Sequence, residues 1–327
     1  MEKRERLFAA FDRQPVDRPP VALWRHFPGD DLDPDRFAER IVNFQRVFDF
    51  DFVKVTPAGS YSAEMYGGRL APDAGNIEGA RTHVVRVVNE WQDWDRIEAL
   101  DVDNLVFRRE SASIARIRAA LGPNVPIAQT LFSPLSIASR LAGSRFETDL
   151  VEHPDAVKRA LERITLTVLR FAREASAAGA DAYFLAVQMG SRQFLTPEQL
   201  NRFAVPYDLA LLEAVRPHAG FVFLHIHGDD IYFDELAAYP VEVVNWHDRK
   251  TPPSLGDGKR LVLGAVAGGL DEMGVLRHGT PAGSSGAGGG CDPPDGWSRR
   301  DHLGRMWTAI DTPQENLYAA RRAVELL

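Results

Sequence analysis

The chain has 327 residues, of which 45% are hydrophobic and 26% are charged, with a formal net charge of −8. A chain of this size buries a large core, either as two ordinary domains or as one long domain. The negative net charge argues against a nucleic-acid partner, because phosphate binding needs a clustered surplus of Lys and Arg. A single cysteine, Cys291, excludes an internal disulfide. With a mixed-charge N-terminus and no long apolar run, these features predict a cytoplasmic protein without a membrane span.

Short β-branched or aromatic runs alternate with longer segments of helical period, a pattern typical of β-α units around a parallel sheet. The clearest helix is predicted over residues 154–178, and another begins at Thr196, a capping residue followed by proline. Residues 67–94 are predicted to form a hairpin above a βα loop. Seven strands are predicted, at residues 20–25, 52–56, 126–132, 182–187, 221–225, 241–246 and 261–263.

Residues 279–296 are rich in Gly, Ser and Pro, a composition that cannot bury apolar surface. The segment falls where an eighth β-α unit is needed to complete a barrel. We therefore expect one α/β domain over residues 1–327, a (β/α)8 TIM barrel, with an irregular segment and a disrupted eighth unit at about 279–307.

Four separated stretches carry a shared pattern. They are Asp17-Arg18-Pro19-Pro20-Val21, residues 152–207 with Leu195-Thr196-Pro197-Glu198, His225-Ile226-His227-Gly228, and Thr312-Pro313-Gln314-Glu315-Asn316. In this order and at these distances they resemble the uroporphyrinogen decarboxylase family, which includes methylcobamide:coenzyme M methyltransferase-like enzymes. The resemblance implies a barrel with its site at the C-terminal ends of the strands.

Arg25 and His26 close the predicted first strand, where the resemblance implies an arginine-rich motif that binds substrate carboxylates. Only Arg25 matches that motif, because its second arginine position falls on Gly29. The aspartate that the decarboxylase uses after its second strand has no counterpart in residues 54–59. We expect Arg25 to bind a carboxylate; a salt bridge to a nearby aspartate is the structural alternative.

His225 and His227 end the predicted strand at 221–225, and residues two apart on a strand point to the same face. Both imidazoles can therefore reach one metal ion. The resemblance implies, for the methyltransferase branch, a zinc site of one histidine and two cysteines that activates a thiol. His227 stands in place of one of those cysteines; the alternative is that the histidines bind a substrate carboxylate.

A catalytic zinc site generally has three protein ligands and one open position, so a third ligand is required. Gln188 follows a strand where the family often has an acid, and its amide favours a positioning role. Cys291 is a ligand if the Gly-rich segment is a genuine lid, but not if that segment results from two compensating frame shifts. The candidates for the third ligand are Glu64, Gln188, His247, Asp248 and Cys291.

The expected function is decarboxylase-like action on a carboxylate-bearing tetrapyrrole or related small molecule, without a cofactor. The first alternative is a zinc-dependent methyltransferase-like enzyme with a thiol acceptor and a corrinoid protein partner. The second is a non-catalytic tetrapyrrole-binding barrel; a homodimer is compatible with each. The catalytic candidates are Arg25, His26, Gln188, His247 and Asp248. The metal-ligand candidates are His225, His227 and Cys291.

Overall fold

The computed structural model describes residues 1–74, 79, 81–284, 302–303 and 308–325. Within these residues, seven strands form one parallel sheet in chain order, and two others form a separate antiparallel hairpin. The sheet strands are β1 (Val53–Val55), β4 (Ile127–Phe132), β5 (Ala182–Val187), β6 (Val222–Ile226), β7 (Val243–Trp246), β8 (Ala265–Ala267) and β9 (His302–Leu303). The hairpin strands are β2 (Arg69–Ala74) and β3 (Arg81–Val85).

Helices follow the strands and cover the sheet. The α-helices in the described part of the chain are α1 (Lys3–Phe11), α2 (Pro34–Phe48), α3 (Tyr61–Glu64), α4 (Leu105–Leu121), α5 (Pro134–Ala142), α6 (Phe146–Glu152), α7 (Pro154–Ala177), α8 (Pro197–Phe203), α9 (Val205–Val215), α10 (Phe233–Ala237), α11 (Leu255–Leu261), α12 (Val275–His278), α13 (Pro281–Ser284) and α14 (Gln314–Ala323). Short 3-10 helices occupy Trp91–Arg96, Gly143–Arg145 and Arg216–His218. None of the described helices has the length and apolarity needed to cross a membrane.

The local sequence explains the best-defined elements. Helix α7 begins at a proline and buries one apolar face, which includes Leu161, Ile164 and Phe171. Strand β5 is buried along its whole length between β4 and β6. A continuous apolar run of this kind is expected for a parallel strand covered on both faces.

The predicted first strand, residues 20–25, is reduced to bridge positions at Val21 and Trp24. The backbone N–H of Asp51 donates to the Val21 carbonyl over 2.8 Å, and the N–H of Thr308 donates to the Trp24 carbonyl over 2.7 Å. This segment therefore lies between the start of β1 and the C-terminal part of the chain, in the place of a first barrel strand.

Two predictions on the second half of the chain are wrong in their bounds. The strand predicted at 261–263 is instead β8, because Ser254 caps a helix that runs to Leu261 and the next buried apolar run is Ala265–Ala267. The single helix predicted to begin at Thr196 is two helices, α8 and α9, which meet at Ala204 shortly before Pro206. Proline removes a helical hydrogen bond, which accounts for the break.

The last β-α unit is described only in part. No strand was predicted near residue 302, yet β9 pairs with β8. Val266 lies opposite His302, and Ala267 lies opposite Leu303. Residues 285–301 and 304–307, and with them Cys291, lie outside the described residues. The disrupted eighth unit, the single-domain boundaries and the metal role of Cys291 therefore stay predictions.

The predicted hairpin in residues 67–94 is confirmed as β2 and β3, paired antiparallel with irregular register. Gly79, between the two strands, approaches His26 so closely that an added Cβ would lie 2.5 Å from the His26 Cβ. Its φ of +78° also favours glycine. The hairpin therefore covers the C-terminal end of the first-strand segment.

Candidate metal and substrate site

A cavity of about 430 Å³ opens at the C-terminal ends of the strands, where barrel proteins place their sites. Its wall combines aromatic rings, imidazoles and three cationic side chains, of which Lys250 forms an ion pair with Glu272. The lining includes Trp24, His26, Lys54, Thr56, Thr130, Phe132, Arg140, Phe184, Gln188, His225, His227, Asp229, Asn245, His247, Lys250 and Glu272.

Three histidines meet on one side of this cavity. His225 lies in β6, His227 directly follows β6, and His247 directly follows β7. Each offers one ring nitrogen, and these three atoms all lie within 4.8 Å of one another. Three imidazoles at this spacing match the three protein ligands of a catalytic zinc site that keeps one position open. We call His225, His227 and His247 the three-histidine cluster.

The register of the sheet fixes the orientation of His225. Strand pairing sets His225 opposite Asn245, and Asn245 opposite Ala267. The Asn245 side-chain amide donates to the Ala267 carbonyl over 2.8 Å, which turns its oxygen toward His225 Nδ1 at 2.7 Å. The Nδ1–H of His225 therefore donates to Asn245, and Nε2 is left with a lone pair for a metal.

His247 is oriented in the same manner by a carboxylate. Its Nδ1–H donates to Glu272 Oε1 over 2.8 Å, and Nε2 faces His227 Nδ1 at 3.4 Å. Lys250 Nζ donates to the same oxygen of Glu272 over 3.0 Å. Burial alone raises the pKa of Glu272, but His247 and Lys250 bring it down to about 2, so the carboxylate is ionised. Carboxylate–histidine pairs of this kind commonly support zinc ligands.

Desolvation in the cavity keeps the cluster ready to bind a cation. It holds the pKa of His225 well below the ordinary value and lowers the pKa of His227 to about 4. The neighbouring imidazole of His247 adds to the fall in both pKa values. Neutral imidazole is the form that coordinates metals, so these two side chains need lose no proton near pH 7.

The sequence analysis did not identify Lys54 and Arg140, two cationic side chains of the cavity lining. Lys54 is the central residue of β1 and only 9% exposed, and burial lowers the pKa of its amine to about 7. Arg140, from α5, has its guanidinium 3.7 Å from the centre of the Phe132 ring, and burial lowers its pKa to about 10. Lys54 lies in residues 54–59, which were considered only for a missing aspartate. A lysine inside the predicted strand at residues 52–56 was the signal available in the sequence.

The structure places Arg25, the predicted carboxylate-binding residue, outside the lining of this cavity. Its guanidinium lies over the rings of Phe27 and Phe44, and Nη1 donates to the Ile310 carbonyl over 3.1 Å. Trp24 and His26, on either side in sequence, do line the cavity. Alternation along an extended segment therefore turns Arg25 toward α2. The alternative, a salt bridge from Arg25 to a nearby aspartate, is not found among the described residues, where Asp30 pairs with Arg36 and Arg40 and Asp31 pairs with Arg81.

His26 lies in the cavity wall, as predicted. Burial, with help from the charge of Lys54, lowers its pKa to about 3, so the ring is neutral at pH 7. Gln188 also lines the cavity, and its side-chain oxygen accepts a hydrogen bond from Arg140 Nη2. The structure therefore brings His26 and Gln188 to the same cavity as the three-histidine cluster.

Two other candidates for the third metal ligand lie elsewhere. The Glu64 carboxylate accepts hydrogen bonds from Nη1 and Nη2 of Arg109, each over 2.9 Å. The carboxylate of Asp248 accepts the backbone N–H of Gly269 over 2.9 Å and is absent from the cavity lining. Of the candidates within the described residues, His247 is the one that the structure brings to His225 and His227.

Fold and site together define a (β/α)8-barrel protein with a histidine-lined cavity at its strand ends. The family model for uroporphyrinogen decarboxylase (URO-D) matches residues 2–284, and the chain belongs to this family. The family and the barrel class that the sequence predicted are thereby confirmed.

Two relatives and one solved structure that resemble this chain carry methyltransferase names. Methylcobamide:CoM methyltransferase MtbA from Methanosarcina mazei is 22% identical over 295 residues, which are 85% of each chain. The protein of the same name from Methanosarcina acetivorans is 21% identical over the same shares. A solved methyltransferase from M. mazei superposes with a TM-score of 0.79 at 18% identity, covering 100% of this chain and 99% of that one. A B12-independent methionine synthase from Shewanella sp. gives 0.55 at 12% identity, over 90% and 86%.

Proposed function

We propose that this protein is a zinc-dependent methyltransferase that transfers a methyl group from a corrinoid-bound donor to a thiol. The observation that carries the proposal is the three-histidine cluster, whose ligand nitrogens lie within 4.8 Å of one another. The methyltransferase names of the similar proteins support it. The decarboxylase-like expectation is correspondingly weakened.

The chemistry of the donors fits zinc. His225, His227 and His247 would hold the ion, and bound zinc supplies the Lewis acidity that keeps a thiol in its nucleophilic thiolate form. Asn245 and Glu272 hold the Nδ1 protons of two ligands, so that each Nε2 stays unprotonated. Softer thiolate ligands are replaced here by imidazoles, which zinc also accepts.

The rest of the cavity provides surroundings for a thiol acceptor. The rings of Trp24, Phe132 and Phe184 line it. Apolar walls exclude water and leave a sulfur nucleophile less solvated than in bulk solution. In the transfer itself, the thiolate sulfur forms a bond to the methyl carbon while the bond from that carbon to the donor breaks, and the electron pair of that bond stays with the corrinoid donor. The thiol proton passes to solvent when the thiolate forms.

Decarboxylation of a porphyrinogen finds less support. Arg25, the expected carboxylate anchor, lies outside the cavity, and residues 54–59 contain no acid to hold pyrrole N–H groups. Of the cations in the cavity lining, Lys250 is already paired with Glu272, which leaves only Lys54 and Arg140 for a substrate that carries many carboxylates. The non-catalytic alternative is weakened by the ordered second partners of the histidines, because a passive binding barrel does not need them.

Methyl transfer from free methylcobalamin to a small thiol tests the proposal. Zinc-loaded protein is expected to catalyse the transfer, followed by the change in the cobalamin absorption spectrum, and His227→Ala should reduce the rate at least a hundredfold. His218→Ala, at an exposed histidine outside the cavity, is the matched control and should keep the rate. A rate that is equal in His227→Ala and the zinc-loaded parent would contradict the proposal.

A further inference from the structure

Lys54 is a buried amine that forms no ion pair with a carboxylate among the described residues. It is the central residue of β1, and its side chain lines the cavity. Its Nζ donates a hydrogen bond to Thr56 Oγ1 over 3.2 Å. An ammonium removed from water normally needs a counter-ion or several acceptors, so this position favours the neutral amine more than an exposed lysine site does.

The surroundings of the Lys54 amine are apolar. Nζ lies 4.5 Å from the centre of the Phe184 ring and 5.4 Å from that of Trp24. The two rings attract the ammonium form, but this attraction offsets only part of the loss of hydration. Burial therefore lowers the pKa of Lys54 to about 7, and a large fraction of the side chain is free amine at neutral pH.

The other lysine of the cavity lining provides a contrast. Lys250 Nζ lies 3.0 Å from Glu272 Oε1 and forms an ion pair with it. Asp229, the other carboxylate of the lining, is exposed and forms no ion pair with Lys54. One lysine of the cavity is thus held as an ammonium by a carboxylate, and the other is not. The titratable and charged side chains that share the cavity with Lys54 are His26, Arg140, His225, Asp229, His227, His247, Lys250 and Glu272.

We propose that Lys54 is a nucleophilic amine that binds small aldehydes covalently, as an imine, in this cavity. A lysine desolvated in an apolar pocket is a nucleophile suited to this reaction with carbonyl compounds. The cavity of about 430 Å³ has room for a small aldehyde beside Nζ, and the rings of Trp24 and Phe184 give its apolar part a surface to pack on. The reaction uses neither a metal nor a thiol, so it goes beyond the proposed methyl transfer.

The reaction is a condensation that releases water. The lone pair of the Lys54 nitrogen forms a bond to the carbonyl carbon, and the electron pair of the carbon–oxygen double bond moves to oxygen. That oxygen takes up one of the two amine protons and becomes a hydroxyl group. The hydroxyl then takes a proton from solvent and leaves as water, while the remaining amine proton passes to solvent and the carbon–nitrogen double bond forms. No oxidant or reductant is needed.

Reductive trapping tests the proposal on the purified protein. Benzaldehyde is the probe, and sodium cyanoborohydride converts an imine into a stable secondary amine that peptide mapping by mass spectrometry locates. At pH 7 we expect Lys54 to be modified at least tenfold faster than each other lysine, with Lys250 as the control inside the same cavity. The rate at Lys54 should rise with a midpoint near pH 7, as its pKa requires. The lysines of the chain are Lys3, Lys54, Lys158, Lys250 and Lys259.

Three variants complete the test. Lys54→Arg keeps a cation in β1 and should lose the fast modification, whereas Lys158→Arg, on α7, is the matched control and should keep it. His227→Ala should also keep it, because the condensation does not use the metal; failure of the metal centre and failure of this inference are therefore distinguishable. Modification of Lys54 no faster than that of Lys158 in the parent protein, or a midpoint near the ordinary lysine pKa of about 10.4, would overturn the proposal.

Discussion

The second partners of the histidines make the cluster more specific than three adjacent imidazoles. Asn245 is itself fixed by the Ala267 carbonyl, and Glu272 is fixed by Lys250. Each holds one ring in a single tautomer with the other nitrogen turned to the cluster. Groups that orient a ligand in this manner commonly contribute tenfold to a hundredfold to metal affinity.

We therefore predict that Glu272→Gln lowers zinc affinity by about 10- to 100-fold, since the carboxylate no longer accepts the His247 proton as an anion. Competition with a chromophoric chelator measures the affinity. Glu213→Gln, at an exposed glutamate of α9, is the control. Equal affinities in the two variants would mean that Glu272 does not support the metal site.

At the scale of elements, the β2–β3 hairpin is tied to the rest of the barrel by a buried ion pair. Arg81 at the start of β3 binds Asp31, and both side chains are at most 1% exposed. The same hairpin brings Gly79 against His26. The attachment therefore holds the hairpin against His26, a residue of the cavity lining.

We predict that Asp31→Asn destabilises the protein by about 3 kcal/mol, because it removes the buried carboxylate charge that binds Arg81. Asp103→Asn removes the exposed pair with Arg108 and should cost less than about 1 kcal/mol. Urea unfolding of both variants measures the difference. Equal losses of unfolding free energy in Asp31→Asn and Asp103→Asn would contradict a stabilising buried ion pair between Asp31 and Arg81.

The sequence predicted the sheet well where strands are continuous apolar runs, as in β5. It also predicted that His225 and His227 point to the same face, because side chains two residues apart at a strand end do so whatever the tertiary structure. The position of Arg25 outside the cavity lining could not be predicted, because residues 20–25 carry no pattern that shows which side chains point inward. Lys54 and Arg140 were missed because their shared cavity depends on how β1 and α5 are placed in space.

At the scale of the whole molecule, buried acids make stability depend on pH. Asp208 in α9 is fully buried, and one of its oxygens accepts the Tyr239 hydroxyl over 3.1 Å. Burial raises the pKa of Asp208 to about 7. The unfolded chain ionises this group near pH 4, so its contribution to stability is complete below that pH and is lost as pH rises toward 7.

We predict that Asp208→Asn gains stability relative to the parent as pH rises from 4.5 to 8. The gain arises because the amide has no proton to lose, and each unit of pKa shift corresponds to about 1.4 kcal/mol. Chemical unfolding at several pH values gives the difference between the two proteins. A difference that does not change with pH would contradict a raised pKa at Asp208.

The whole-molecule expectations of a homodimer and of a corrinoid protein partner stay predictions. The same holds for a frame-shift origin of residues 279–307, which resequencing the gene would decide. The metal centre needs no residue of 279–307, because the three histidines and their hydrogen-bond partners Asn245 and Glu272 all lie within residues 225–272.

The zinc content of the purified protein tests the central claim most directly. Elemental analysis should find close to one zinc per chain, and less than a tenth of that in His225→Ala, His227→Ala and His247→Ala, with the parent level in His218→Ala. The His247→Ala result matters most, because it separates this three-histidine centre from one completed by Cys291. Full zinc content in His247→Ala, or none in the parent after incubation with zinc, would contradict the account.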